Sequence, residues 1–102
     1  MKVYEITRHN FREEVLASQR PVLLTFRAPW CGACKQLSPV LDEIAAECPD
    51  IKVCSVNADT EPELASRYNI SRIPTLLIMS CAEEEDRVIG APEKEEILSL
   101  FE

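Results

Sequence analysis

The amino-acid sequence predicts an α/β fold in which a central mixed sheet of five strands is flanked by four helices. Short apolar runs of strand length alternate with stretches whose apolar residues recur at helical spacing. Only the last two strands lack a helical stretch between them, so that pair is expected to be antiparallel. The chain has 102 residues, 46% hydrophobic and 28% charged, enough for one modest core but not for two; residues 1–102 are therefore expected to form a single domain.

Residues 2–6 form the first expected strand. Asn10 comes next as a helix N-cap, with Glu13 three residues on to complete a capping box, and Phe11, Val15 and Leu16 would face the core. Val22-Leu23-Leu24-Thr25-Phe26 after Pro21 reads as a strand buried on both faces. From Gly32 to Glu47 the residues Leu37, Val40, Leu41 and Ile44 keep helical spacing, and Pro39 inside that pattern predicts a kink. Residues 51–56 are the third strand. Thr60-Glu61-Pro62-Glu63 resembles a second capping box, opening a helix with Leu64, Ala65 and Tyr68 that Asn69 can end. Leu76-Leu77-Ile78-Met79 and Arg87-Val88-Ile89 are the last strands, with Glu83-Glu84-Glu85-Asp86 as a solvated hairpin tip between them. A final helix after Pro92 would pack Ile97, Leu98 and Phe101 on the sheet and leave Glu93, Lys94, Glu95 and Glu96 in its first turn and on its solvent face. An alternation of this kind puts helices on both faces of the sheet.

Composition narrows the function. Eleven Lys and Arg against 18 Asp and Glu give a net charge of −7, and no basic stripe offsets it, so neither nucleic acid nor an anionic membrane is an expected partner. No stretch has signal-peptide character or the roughly 20 apolar residues that span a bilayer. Two glycines, Gly32 and Gly90, cannot build a glycine-rich dinucleotide turn. Five cysteines are an odd number with one tight pair, which suits a reducing compartment better than a secreted disulfide scaffold; a cytoplasmic location is expected.

The pair is Cys31-Gly32-Ala33-Cys34, where a buried strand hands over to a helix. Residues three apart on a helix have Cβ atoms roughly 5–6 Å apart, so a small adjustment brings two sulfurs into bonding geometry. Unpaired backbone N–H groups and the helix dipole at that end favour a thiolate on the first cysteine. Cys31 is thus the candidate nucleophile, and Cys34, one turn deeper and shielded, the thiol that attacks second. A zinc half-site is the alternative for a CxxC, but Cys48, Cys54 and Cys81 supply no second one and His9 is the single histidine, so no metal is expected. A structural disulfide is the other alternative, disfavoured by a reducing compartment and the flanking tryptophan.

Trp30-Cys31-Gly32-Ala33-Cys34-Lys35, with Ile73-Pro74-Thr75 ahead of an apolar strand, resembles the thioredoxin family, and the similarity runs nearly the whole chain. The resemblance implies the thioredoxin fold and a thiol–disulfide oxidoreductase that reduces protein disulfides, with no cofactor beyond a redox-active Cys31–Cys34 disulfide. It implies a cis Ile73–Pro74 bond, a minority state for X–Pro, and a substrate groove in which Trp30 offers an apolar surface, the Ile73 backbone beside Pro74 pairs with an extended substrate, and Gly90 lines the rim. Disulfide-containing proteins are the implied substrates and an NADPH-dependent thioredoxin reductase the implied partner, with the protein a monomer.

Four positions depart from the family pattern. Ala33 replaces a proline and loosens the turn after Gly32. Thr25 stands in place of a buried aspartate that would handle the Cys34 proton, and Ser55 in place of its lysine partner, so both members of a buried pair are gone together. Arg27 replaces an aromatic residue; it either reaches the site and favours the Cys31 thiolate or is a solvated strand-end arginine. Ala33 and Thr25 together point to a protein less strongly reducing than an ordinary thioredoxin. They also keep open an oxidising or isomerising thiol enzyme, and a non-catalytic binding module of the same fold is a third reading. Cys48 and Cys54 read as packing thiols, Cys81 as an exposed one and His9 as a surface residue.

Overall fold

The computed structural model describes residues 2–102. Five strands, β1 (Tyr4–Ile6), β2 (Val22–Arg27), β3 (Lys52–Asn57), β4 (Thr75–Ser80) and β5 (Glu83–Ile89), form one sheet in the order β1-β3-β2-β4-β5. β3 runs parallel to both β1 and β2, while β4 is antiparallel to β2 and β5 to β4. The helices are α1 (Gly32–Glu47), α2 (Pro62–Arg67) and α3 (Lys94–Ser99).

β2 lies at the centre, and every residue from Val22 to Phe26 is buried, as its continuous apolar run requires of a strand covered on both faces. Its side chains alternate between two cores. Val22, Leu24 and Phe26 join Ile6, Phe11 and Leu64 on the α2 side, whereas Leu23 joins Leu37, Leu41 and Ile44 of α1 and Ile97 of α3 on the other. Each of these side chains contributes on the order of 1.5–3 kcal/mol by leaving water. Thr25 and Ser55 are cross-strand partners on the α1 face of that sheet, so their hydroxyls are placed beneath the first turns of α1.

Several local expectations are corrected. Asn10 does not cap a helix: its amide accepts from Thr7 N at 2.7 Å and donates to the Glu5 carbonyl at 3.0 Å, and so is spent closing the preceding turn. The chain then makes one wide helical turn, Arg12–Leu16, closed from Ala17 N to Arg12 O at 2.8 Å, in place of a fourth regular helix. This turn still buries Phe11 and Val15. The second capping box is also absent. The Thr60 hydroxyl donates back to the Asn57 carbonyl, and the Glu61 carboxylate turns to Arg8, accepting from its backbone N–H and its guanidinium. Asn69 does end α2: at φ 55° it donates to Ser66 O while Ile70 N reaches Ala65 O, satisfying two carbonyls of the last turn. α1 runs unbroken through Pro39.

The acidic run is not the hairpin tip. Cys81 and Ala82 make the turn, with φ 52° and 70°, the paired positive values of a two-residue turn that matches strand twist. Glu83, Glu84, Glu85 and Asp86 instead belong to edge strand β5, where Glu85 is the extra residue of a bulge opposite Ile78 and Met79. Charge and bulge together keep that edge from pairing with another chain. Lys94 does not face solvent alone; it ties α3 to α1 through Glu43 at 2.8 Å and through Glu47.

Candidate active site

β2 ends at Arg27, and after Ala28, Pro29 and Trp30 the chain enters α1 with Cys31 as its N-cap, extended at φ −90° and ψ 112°. The Cys31 sulfur takes the place of a capping oxygen and accepts from Cys34 N at 3.2 Å. The two cysteines are joined as a disulfide with their Cα atoms 5.2 Å apart. In this oxidised state both are covered, at 7% and 8% exposure, so depth does not distinguish them; position on the helix does. The first turn of α1 holds no acidic residue to oppose a negative charge on Cys31.

Just ahead of β4, the Ile73–Pro74 bond is cis. Gly90 N donates to Pro74 O at 2.8 Å, fastening the end of β5 to this turn, and its φ of 109° is one that side chains other than glycine rarely adopt. Among the described residues, neither the N–H nor the carbonyl of Ile73 has a partner within the chain. Trp30 is 70% exposed, and its ring is held by a bond from Nε1 to Asp59 Oδ2 at 2.8 Å. It walls a recess with Ile70, Arg72 and Ile73. Gly32 has open space where a Cβ would be, so no close approach demands glycine there; Ala33 is half-buried beside it in the same turn.

Behind Cys34 lies a cavity of about 180 Å³, lined by Thr25, Arg27, Ser55 and the α1 face. Thr25 is 1% exposed, and its hydroxyl has no hydrogen-bond partner among the described residues. Arg27 is neither free in solvent nor directed at Cys31: its Nε donates to Ser55 Oγ at 2.7 Å, and its terminal nitrogen to both Glu5 carboxylate oxygens at 2.6 and 2.8 Å. With a partly exposed arginine and an exposed glutamate, this pair is screened and adds little stability. Its effect is to fix the guanidinium against β3.

Asp59 and Glu5, which hold Trp30 and Arg27, have no signal in the sequence. Glu5 meets Ser55 only through the register of β1 with β3, and Asp59 meets Trp30 across 29 residues of chain. Among the described residues no group of three or more His, Cys, Asp or Glu is placed to hold a metal ion.

The thioredoxin family model matches residues 2–102. The chain belongs to the thioredoxin family. A thioredoxin of Pyropia yezoensis is 46% identical over 102 residues, covering 99% of this chain and 95% of that protein. Thioredoxin 1 of a Nostoc species is 44% identical over 99 residues, covering 96% and 92%. Thioredoxin M5, chloroplastic, of Oryza sativa subsp. japonica is 43% identical over 94 residues, covering 91% of this chain and 55% of that protein. With the cysteine pair bonded at the head of α1, this thioredoxin family member is a thiol–disulfide oxidoreductase, a protein-disulfide reductase whose redox centre is Cys31–Cys34. Oxidising, isomerising and purely binding roles are not favoured by these relatives.

Proposed function

We propose that Cys31 is the nucleophile and Cys34 the resolving thiol. The Cys31 thiolate attacks a substrate disulfide; a mixed disulfide forms and one substrate thiolate leaves. Cys34, having lost its proton, attacks the Cys31 sulfur, the second substrate thiolate departs, and Cys31–Cys34 is left oxidised. The observation that carries this order is the N-cap position of Cys31, whose sulfur already receives an N–H from the first turn of α1; an anion there is held by that donor and by the helix dipole.

Substrate is received in extended form by the unpartnered Ile73 backbone beside Pro74, with Trp30 as an apolar wall and the Gly90 turn as the facing rim. Recognition of main chain implies many disulfide-containing proteins as substrates. Electrons return from an NADPH-dependent thioredoxin reductase, and the protein works as a monomer in the cytoplasm. Charge supports the absence of nucleic acid and anionic membrane among its partners; no helix is long and apolar enough to cross a membrane among the described residues.

Insulin reduction tests the reading, first with dithiothreitol and then with NADPH and a thioredoxin reductase. Turnover in both is expected; Cys31→Ser abolishes it, whereas Cys34→Ser accumulates a covalent mixed disulfide with substrate. Trapping by Cys31→Ser instead would reverse the two roles.

A further inference from the structure

Resolution of the mixed disulfide requires Cys34 to lose a proton, yet the residue beneath it, Thr25, has a hydroxyl and no carboxylate. That hydroxyl is buried with no partner among the described residues and lines the same cavity as Cys34. The cavity, at about 180 Å³, has room for several water molecules. Its exposed lining residues, Glu5, Ser38 and Asp42, place its mouth at the sheet edge and along α1.

Cys34, Ser38 and Asp42 succeed one another at four-residue steps, so they form one stripe down α1, about 12 Å from first to last at 1.5 Å rise per residue. Three charged groups line the space. Arg27, on β2, and Glu5, on β1, neutralise each other, and both Glu5 oxygens are occupied by the guanidinium. Asp42 has no ion-pair or hydrogen-bond partner among the described residues. It is the one carboxylate lining the cavity whose oxygens are free to accept a proton.

We propose that Asp42 is the proton acceptor for Cys34, reached through water in this cavity with the Thr25 and Ser38 hydroxyls as relay points. In the step, the Cys34 S–H proton passes along the water chain and the last water gives a proton to the Asp42 carboxylate. The Cys34 thiolate then forms a bond to the Cys31 sulfur, the Cys31–substrate S–S bond breaks, and its electron pair leaves with the substrate thiolate. Asp42 afterwards releases its proton to solvent or to that thiolate. The inference rests on Cys34 as the resolving thiol.

The test is the reaction of reduced protein carrying Cys48→Ala and Cys81→Ser, so that only Cys31 and Cys34 release thiolate, with 5,5′-dithiobis(2-nitrobenzoate), recorded by stopped flow. Attack by Cys31 releases a first coloured thiolate and resolution by Cys34 a second, each measured from pH 5 to 9. Asp42→Asn is expected to leave the first release unchanged and to slow the second by about 10-fold or more at neutral pH, less than the roughly 100-fold at the lower end for a base in direct contact because the proton travels through water. Its profile should become that of a thiol losing its proton directly to solvent, and Asp42→Glu should restore most of the rate. A second release with wild-type rate and profile in Asp42→Asn overturns the relay, as does equal slowing of both releases. Absence of any second release in the wild type would instead overturn the role given to Cys34.

Discussion

Cys54 is fully enclosed in the core between β1 and β2, and burial pushes its thiol up to about 12. An unfolded chain ionises this thiol near 9, so between about pH 9 and 12 the unfolded state holds fewer protons and stability falls as pH rises. The loss reaches a few kcal/mol at most, and it is absent in Cys54→Val, so the difference between urea midpoints of the two proteins should change sharply across that window. Native-state alkylation near neutral pH should label the exposed Cys81 and leave Cys54 untouched. At the site, Ala33 leaves the turn between the cysteines without the φ restraint of a proline. Ala33→Pro is expected to make the couple more reducing by about 30 mV, a tenfold change in the exchange equilibrium, read by titration against glutathione; no shift, or a shift toward oxidising, would show that the turn does not set the balance. The cysteine pair was legible because its spacing is local. The partners of Arg27 and Trp30 were not, because Glu5 and Asp59 reach them only through the assembled sheet and its loops.

Among the elements, α1 has the bounds its apolar spacing implies, and its hydrophobic face at Leu37, Leu41 and Ile44 is the one that packs on the sheet. The helix starts were less legible than the helices. Asn10 and Thr60 carry side chains equally able to bond backward or forward in the chain, and both bond backward. The β4–β5 turn was missed for a related reason. Cys81 and Ala82 are poor residues for positive φ, whereas Glu83–Asp86 looks like a loop by polarity alone; register with β4 overrides both preferences. Ala82 at φ 70° carries a steric cost that glycine lacks, so Ala82→Gly is expected to stabilise the protein by about 0.5–1 kcal/mol. Asn69→Ala, at φ 55° behind α2, should destabilise it by a similar amount. Urea midpoints with unchanged slopes check both.

At the scale of the whole molecule, the sheet order β1-β3-β2-β4-β5 is what brings chemistry to one end of the fold. Central β2 leads to the cysteines at the head of α1, and Pro74, to which the end of β5 is fastened through Gly90, immediately precedes β4, whose Thr75 pairs with Phe26 near the end of β2. Parallel connections around β2 and a hairpin at β4–β5 were legible from the spacing of elements; the cavity behind Cys34 was not, since it arises from what Thr25, Ser55 and Arg27 leave unfilled between sheet and helix. The proposed order of attack rests on one physical condition, a sulfur anion at residue 31 held by the start of α1. The rate of iodoacetamide reaction at Cys31 in Cys34→Ser, recorded from pH 4 to 10, measures it. A midpoint well below the roughly 8.5 of free cysteine is expected; a midpoint at or above that value would contradict the account.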